Sequence, residues 1–538
     1  MILNFDNCLD LVYLFFMLIG VLPVFLYGEI HYRLPWFRGF LFKKEAEVLF
    51  DMPTRIITGT LPVMLMVKDS NKFPVHFERV EITVLRNGRQ VKKEAIKFNN
   101  SLAQLFFSKI FPVDISDFAN QKLEVQCEVF LQEGVRTKKI TNHNLSGKYN
   151  PLFQVYYDEK DVPVGSQWLR GDLHVHSNYT EDQVEFGAEM SAYRVMGKAR
   201  GLDFTGVVDH AYDLENVPGT WDFKDDNFTK WKNFKKEAGK LNAADDSFTL
   251  LPGYELSVDN GLGENVHLVV LNNQEIFAGN GDAMKKYKSY ASEHYYRKIL
   301  DSLDDNAMAY AAHPKTPQKF LHRKILKRGE WNSKDFVKEL AGFQIINGRK
   351  DDGYKRGKKL WIRKILTGKR HHIYAGTDAH GNFNYNLAIK YPLLSMEMNN
   401  NHVFGEYFNY VKSEPGVDNI IANIKDGRII VSDGPFLNLE IRQNQKVFGI
   451  GDDVDFLPGE ISISGASNDF FGPIKFIRLI VGNCQRKKEQ SLELHDIDKY
   501  DYQRDLGIKL HDSDCYIRAE LKTDKDKTAL TNPIWLKP

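Results

Sequence analysis

His174 and His176 sit two apart in Gly171-Asp172-Leu173-His174-Val175-His176-Ser177, at the end of a short strand that starts at Trp168. Strand side chains alternate between faces, so the two imidazoles point the same way. Two imidazoles on one face are a common start to a metal site. The chain then repeats the device with Val207-Val208-Asp209-His210, Pro252-Gly253-Tyr254-Glu255, Asn265-Val266-His267, Ala311-Ala312-His313-Pro314 and Gly376-Thr377-Asp378-Ala379-His380. Taken singly, each has a structural reading: His313 as a core histidine, Asp378 as a helix cap. As a series they are spaced imidazole and carboxylate donors, a set that suits Zn, Mn or Fe without choosing among them. Two such ions about 3.5–4 Å apart lower the pKa of a bridging water and clamp the oxygens of an in-line displacement, so no serine or cysteine nucleophile is required. Ser177 has no base pattern around it and reads as structural; Asp209 reads as a partner that orients a histidine.

Positioning these side chains requires strands that end where they stand. Apolar runs at 204–208, 249–254, 308–312 and 373–376 read as buried parallel strands. Helical patterns at 188–200, 228–240, 283–303, 333–340 and 355–366 separate them, which is the α/β signature. Donors at the C-terminal ends of successive strands describe the catalytic face of a (β/α) barrel. His267 is the exception, because it opens its run (266–271) instead of closing it. Strand ends at His176, His210, Glu255, Leu271, His313, Asn347 and Asp378 make seven strands.

The flanks read differently. A chain of 538 residues predicts about three domains. A hydrophobic share of 43% with 27% charged residues is that of a globular protein, and a net charge of +1 gives no footprint for a nucleic-acid partner. The four cysteines are far apart and form no CxxC, so neither a disulfide nor a thiolate zinc site is expected, which suits a reducing compartment. Residues 11–28 are apolar and uncharged, long enough to cross a bilayer, with Asp6 and Asp10 before them and Arg33, Arg38, Lys43 and Lys44 after. The expectation is a transmembrane anchor within 1–32, with the catalytic bulk of the chain cytoplasmic. Residues 45–148 alternate as short strands, with an Asn87-Gly88 hairpin turn, and suggest an immunoglobulin-like sandwich. A linker at 151–165 precedes the barrel (165–435), and a second β-rich region fills 436–538.

Read together, the HxH start, the Asp-His pair, the glycine-preceded Glu255, the His-Pro pair and the closing Asp378-Ala379-His380 resemble the PHP (polymerase and histidinol phosphatase) superfamily over about half of the chain. Ser432-Asp433-Gly434-Pro435 and Thr531-Asn532-Pro533-Ile534 are similar to its carbaryl hydrolase-like branch. The resemblance implies a distorted seven-stranded (β/α) barrel holding two or three divalent metals, usually Mn, Fe or Zn, and most often a phosphoesterase. It implies that His174, His176 and Asp378 bind one metal, that Glu255 bridges two, that His210 and His313 bind the second, and that His380 completes a third site or contacts substrate. A further ligand falls at Glu181 or Asp182. His267 is a ligand or a substrate contact, and His380 or His267 is a candidate proton donor to the leaving group.

The remaining feature is charge. Residues 349–370 carry ten Lys or Arg in 22 positions, which reads either as a solvated face or as a cationic rim for a small anionic substrate or an anionic membrane. Lys315 and Arg349, just past strand ends, are the expected phosphate contacts. Three functions follow: a metal-dependent phosphoesterase acting through a metal-bridged hydroxide, a carboxylester or carbamate hydrolase on the same metals, or a non-catalytic metal-binding sensor.

Overall fold

The computed structural model describes residues 45–133, 136–144, 151–180, 187–220, 223–279, 281, 291–318, 323–324, 326–332, 337–390, 395–455, 459–494, 497, 499–507 and 514–537. Its N-terminal part is a two-sheet sandwich. Glu47–Asp51, Thr60–Lys68 and Phe106–Asp114 form one antiparallel sheet. Gln121–Glu133 and Val75–Arg86 centre the other, with Arg89–Leu102 at one edge and Phe153–Tyr157 beside Arg55–Ile56 at the opposite one. Alternation buries Val80, Ile82 and Val84 against Leu123, Val125, Cys127 and Val129. The hairpin turns at Asn87 and Gly88, both at positive φ (51° and 73°), the conformation a two-residue turn needs to match strand twist.

The central strands carry the site. Trp168–Val175, Phe204–His210 and Thr249–Asp259 run parallel; Asn265–Leu271 runs against them; Met308–Ala311, Gly342–Asn347 and His372–Gly376 return to the first direction. The one reversed strand explains why His267 opens its run: the start of an antiparallel strand lies at the same end as the finish of its parallel neighbours. Ser257 pairs with His267 across that hairpin.

The expected α/β fold of a seven-stranded (β/α) barrel is corrected here. The sheet does not close as a barrel ladder. Between the Asp378 strand and the His174 strand there is one isolated bridge, Val175 to Ala379, and the Asn409 side chain, which donates to both Gly171 and Ala375 carbonyls. The ladder continues instead through Phe408–Lys412, Ile429–Ser432 and Thr528–Thr531 into Asp514–Thr523, Ile474–Asn483 and Lys488–Leu494, a mixed sheet of fifteen strands. The chain is mostly β: thirty strands against six α-helices among the described residues. The physical reason is connection type. A parallel crossover needs a helix, whereas the antiparallel pairs here need only turns. Of the expected helices, Met190–Arg200, Thr229–Ala244 and Asp352–Ile365 form, and Tyr296–Leu300 falls within the expected 283–303, of which 283–290 lie outside the described residues. A four-stranded sheet (Lys446–Phe448, Phe436–Gln443, Glu460–Ala466, Asp501–Gly507) packs over the C-terminal strands, with Gly465 close to Leu521 and Ile477. C-terminal residues also hold the centre: Asn532 accepts from the Ile373 amide (2.8 Å) and donates to its carbonyl.

Two further expectations are corrected. No helix among the described residues is long and apolar enough to cross a membrane. The expected anchor at 11–28 lies outside the described residues, so membrane partnership and a membrane-anchored, cytoplasmic placement have no support in the structure. Cys484 and Cys515 form a disulfide across adjacent strands, with Cα atoms 5.9 Å apart. Disulfides persist in oxidising surroundings, which runs against the reducing compartment read from the spacing. Their 31-residue separation in sequence conceals strand neighbours.

The sandwich, the centre and the C-terminal strands meet at a buried charge cluster. Arg55 donates to Asp158 and Asp161 (2.8 Å each), Arg170 pairs with the same Asp161, and Arg200 reaches Glu406 at 2.9 Å. Burial alone pushes Glu406 up, but Arg200 and Lys527 hold it down at about 2.

Candidate metal centre

Strand pleating puts His174 and His176 side by side, both fully buried, with Nε2 atoms 3.1 Å apart. The outer nitrogen of each is fixed. His174 Nδ1 meets the Gln344 amide oxygen at 2.8 Å. His176 Nδ1 meets Thr180 Oγ1 at 3.3 Å, and that hydroxyl spends its proton on Asp209 Oδ1 at 2.6 Å. Both Nδ1 atoms therefore donate, and both Nε2 lone pairs turn inward.

Glu255, 2% exposed, lies at the centre of the site. Its Oε1 is 2.9 Å from His267 Nδ1 and 3.0 Å from His313 Nε2. Its Oε2 faces His210 Nδ1 at 3.2 Å, His176 Nε2 at 3.6 Å and His174 Nε2 at 3.7 Å. Asp378 brings Oδ1 to 3.1 Å from His176 and 3.4 Å from His174, while Asn347 donates to its Oδ2 at 3.0 Å. Donor atoms gather within metal-binding reach in three groups: His174, His176, Glu255 and Asp378; Glu255, His267 and His313; and His176, His210 and His380. Glu255 thus belongs to two groups through different oxygens, and His176 to two. His380 stacks on His176 at 4.1 Å between ring centroids.

The donor chemistry fits cations. His210 Nδ1 is buried at 3.2 Å from Glu255 yet makes no aligned hydrogen bond among the described residues. Two inward Nε2 lone pairs at 3.1 Å repel unless a proton or a metal lies between them. The electrostatics agree. Burial pushes His174 down, but Glu255 and Asp378 overcome it and raise it to about 9. His176 is driven well below its ordinary value by burial and by His380 and His210. Burial raises Glu255, yet His267 and His174 hold it well below the carboxylate range. Glu255 and Asp378 thus favour a proton on His174, and a metal ion would take that proton's place. His313 and Asp378 hold positive φ angles of 27° and 55°, backbone strain of the kind that collects at functional sites.

The sequence-derived set divides as follows. His174, His176, His210, Glu255, His267, His313, Asp378 and His380 come together. His210 groups with His176 and His380, whereas His313 groups with His267. Glu181 and Asp182 lie outside the described residues. Lys315 and Arg349 border a cleft of about 330 Å³ beside His313, but Lys315 Nζ pairs with Glu330 (3.2 Å) and Arg349 Nε with Asp351 (2.8 Å). Along the basic run, Lys350 pairs with Asp433, Arg356 with Glu330 and Lys358 with Glu520. The expectation of a small anionic substrate recruited by a cationic rim is corrected accordingly: both expected phosphate contacts and half of the ten cations of the run, Arg349, Lys350, Arg356, Lys358 and Arg370, are already paired with acids.

Asp209, read from the sequence as a partner that orients a histidine, holds His176 through Thr180, whereas other residues that hold the ligands were missed. Gln344 orients His174 and passes a hydrogen bond to Asn347, which grips Asp378. Buried Asp172 accepts from Thr377 through both hydroxyl and amide, tying the His174 strand to the Asp378 turn. A buried Gln inside an apolar strand, Gly342-Phe343-Gln344-Ile345-Ile346, was the available signal.

No family model matches the chain, and no curated protein matches it. Among solved structures, similarity is reported to the Parabacteroides merdae beta-glucuronidase (8% identity, TM-score 0.18, 92% of this chain and 64% of that one). It is also reported to a putative beta-galactosidase from Bacteroides fragilis (10%, TM-score 0.17, 91% and 74%). A third is the Beta-D-Mannosidase of Dictyoglomus thermophilum (10%, TM-score 0.21, 91% and 66%). At these TM-scores the likenesses carry over neither fold nor activity.

Proposed function

We propose that the cluster is a divalent-metal centre and that the protein is a metal-dependent hydrolase of ester bonds. The observation that carries this is the two-sided Glu255, one oxygen on His267 and His313, the other toward His174, His176 and His210. A carboxylate so placed can bridge two ions, and the motif resemblance to PHP metallohydrolases supports the same reading. His174, His176, Glu255 and Asp378 would hold one ion, and Glu255, His267 and His313 another. His210 and His380, with His176, offer a third position. Bound divalent ions supply Lewis acidity to water and to ester oxygens. The protein's own groups orient and exclude. Gln344 and the Thr180–Asp209 pair fix the inward nitrogens, Asn347 leaves Asp378 Oδ1 directed at the histidines, and burial of the donors keeps the local field strong.

The test is metal analysis of purified protein at neutral pH, followed by an ester panel on the metal-replete form. Phosphomonoesters and phosphodiesters come first, as the resemblance suggests, then aryl carboxylesters and carbamates. Stoichiometric metal with turnover of one class supports the proposal. Metal without turnover of any class leaves a sensor module, and absence of metal overturns the reading.

A further inference from the structure

One imidazole beside the cluster belongs to none of its three groups. His402 is half-buried and lines the same cleft as His313 and Asn347. We propose that His402 is the proton donor to the leaving group of the reaction, an inference that rests on the hydrolase reading above.

Three observations support it. The first is orientation. His402 Nδ1 lies 2.9 Å from the Thr377 carbonyl oxygen, which can only accept, so Nδ1 carries a proton and Nε2 is the nitrogen left for chemistry. Thr377 immediately precedes Asp378, so the anchor is fixed to the metal-binding turn. The second is backbone. His402 has φ of 57°, in the left-handed region, and its amide donates to the Gly348 carbonyl at 3.2 Å. Gly348 itself has φ of 61°, and a Cβ there would come within 2.6 Å of the His402 amide nitrogen and the Thr377 oxygen. The turn is built around this histidine at a cost in backbone strain, which is the usual signature of a functional position. The third is division of labour. The other histidines of the site place donor nitrogens inside the metal groups, whereas His402 belongs to none of them and lines the cleft with His313, Asn347 and Arg349.

The proton balance is simple. With Nδ1–H held on Thr377, the proton given up is the one on His402 Nε2. Water supplies hydroxide to the acyl or phosphoryl centre. The electron pair of the breaking ester bond passes to the leaving oxygen, which takes the Nε2 proton. The proton released by the attacking water restores Nε2–H, so one water is consumed and an acid and an alcohol leave.

The experiment compares metal-loaded wild type, His402→Asn and His402→Ala on two esters of one acid, one with a 4-nitrophenolate and one with an alkoxide leaving group. Asparagine tolerates left-handed backbone and its amide can still donate to Thr377, so His402→Asn keeps the turn and removes the proton donor. Expected is a loss of about 10²–10⁴-fold in kcat on the alkyl ester, the usual contribution of a general acid, and less than about tenfold on the 4-nitrophenyl ester, whose leaving group needs no proton. Bound metal and thermal midpoint should match wild type in His402→Asn. Equal losses on both esters, no loss on the alkyl ester, or a fall in bound metal in His402→Asn would overturn the proposal. The acid is that of the class turned over in the panel above; if metal-loaded wild type turns over no class, the hydrolase reading fails and this inference with it; if it turns over both esters and the variants do not separate them, only the role of His402 falls.

Discussion

Two of the buried charge clusters among the described residues are built on opposite plans. In the cluster where the sandwich meets the centre, Arg55, Arg170 and Arg200 face Asp158, Asp161 and Glu406. Each cation there has a carboxylate and each carboxylate a cation, so the group is complete within the chain. In the other, Glu255 and Asp378 face His174 and His176, whose outer nitrogens are already committed as donors, so the inner ones offer lone pairs. That cluster lacks a positive charge of its own and takes one from solvent, as a proton or a metal ion. Internal neutrality suits a structural cluster; a surplus of inward lone pairs suits a binding one.

The largest expected effect comes from removing the centre of the binding cluster. Glu255→Gln should abolish stoichiometric metal and activity together, a loss beyond the ~10–100-fold in metal affinity that an outer partner costs. Full metal content in purified Glu255→Gln would erase the distinction between the clusters. Next, Arg55→Met leaves Asp158 and Asp161 short of a cation in the closed cluster, and should destabilise by about 3–5 kcal/mol in denaturant unfolding. Its metal content should not change, since no donor is touched. Third, Gln344→Leu releases His174 and should weaken metal binding by ~10–100-fold in competition with a chelator, with stability changed far less than in Arg55→Met.

The smallest effect is a pH dependence. His174 sits near 9 in the folded metal-free protein, above its ordinary 6.5. Its proton therefore contributes stability that is fully present below pH 6.5 and lost as pH rises through about 9. The thermal midpoint of metal-free protein should fall over that window, and the metal-loaded protein, in which an ion replaces the proton, should lose less. Parallel curves for the two forms would show that His174 does not carry the exchangeable charge.

Much of the binding cluster was legible because its donors stand at strand ends with distinctive neighbours, such as Asp209-His210 and Asp378-Ala379-His380. The pairing of His267 with His313 was not legible, because it depends on one strand running backwards, and a run such as 266–271 looks the same in either direction. The pairing within the basic stretch was hidden for a related reason: Lys358 meets Glu520, and Lys350 meets Asp433, across 162 and 83 positions. The N-terminal strands were readable from the two-residue alternation of Leu123 to Leu131. The fold class differs from the expected barrel because 259–265 is a hairpin that reverses one strand, and the sheet runs on into the C-terminal strands.

The Asn532 clasp on Ile373 has a consequence for the order of events during synthesis. The strand that delivers Asp378 has its edge backbone held by a residue made 159 positions later. A ribosome that has completed Glu520 has already released every histidine and carboxylate of the cluster, yet the last of those strands still lacks its outer partner. Contacts this distant along the chain form slowly and late. Metal capture should therefore trail translation: nascent chains arrested at 520 should bind the ion loosely or not at all, and chains extended through 537 should bind it firmly.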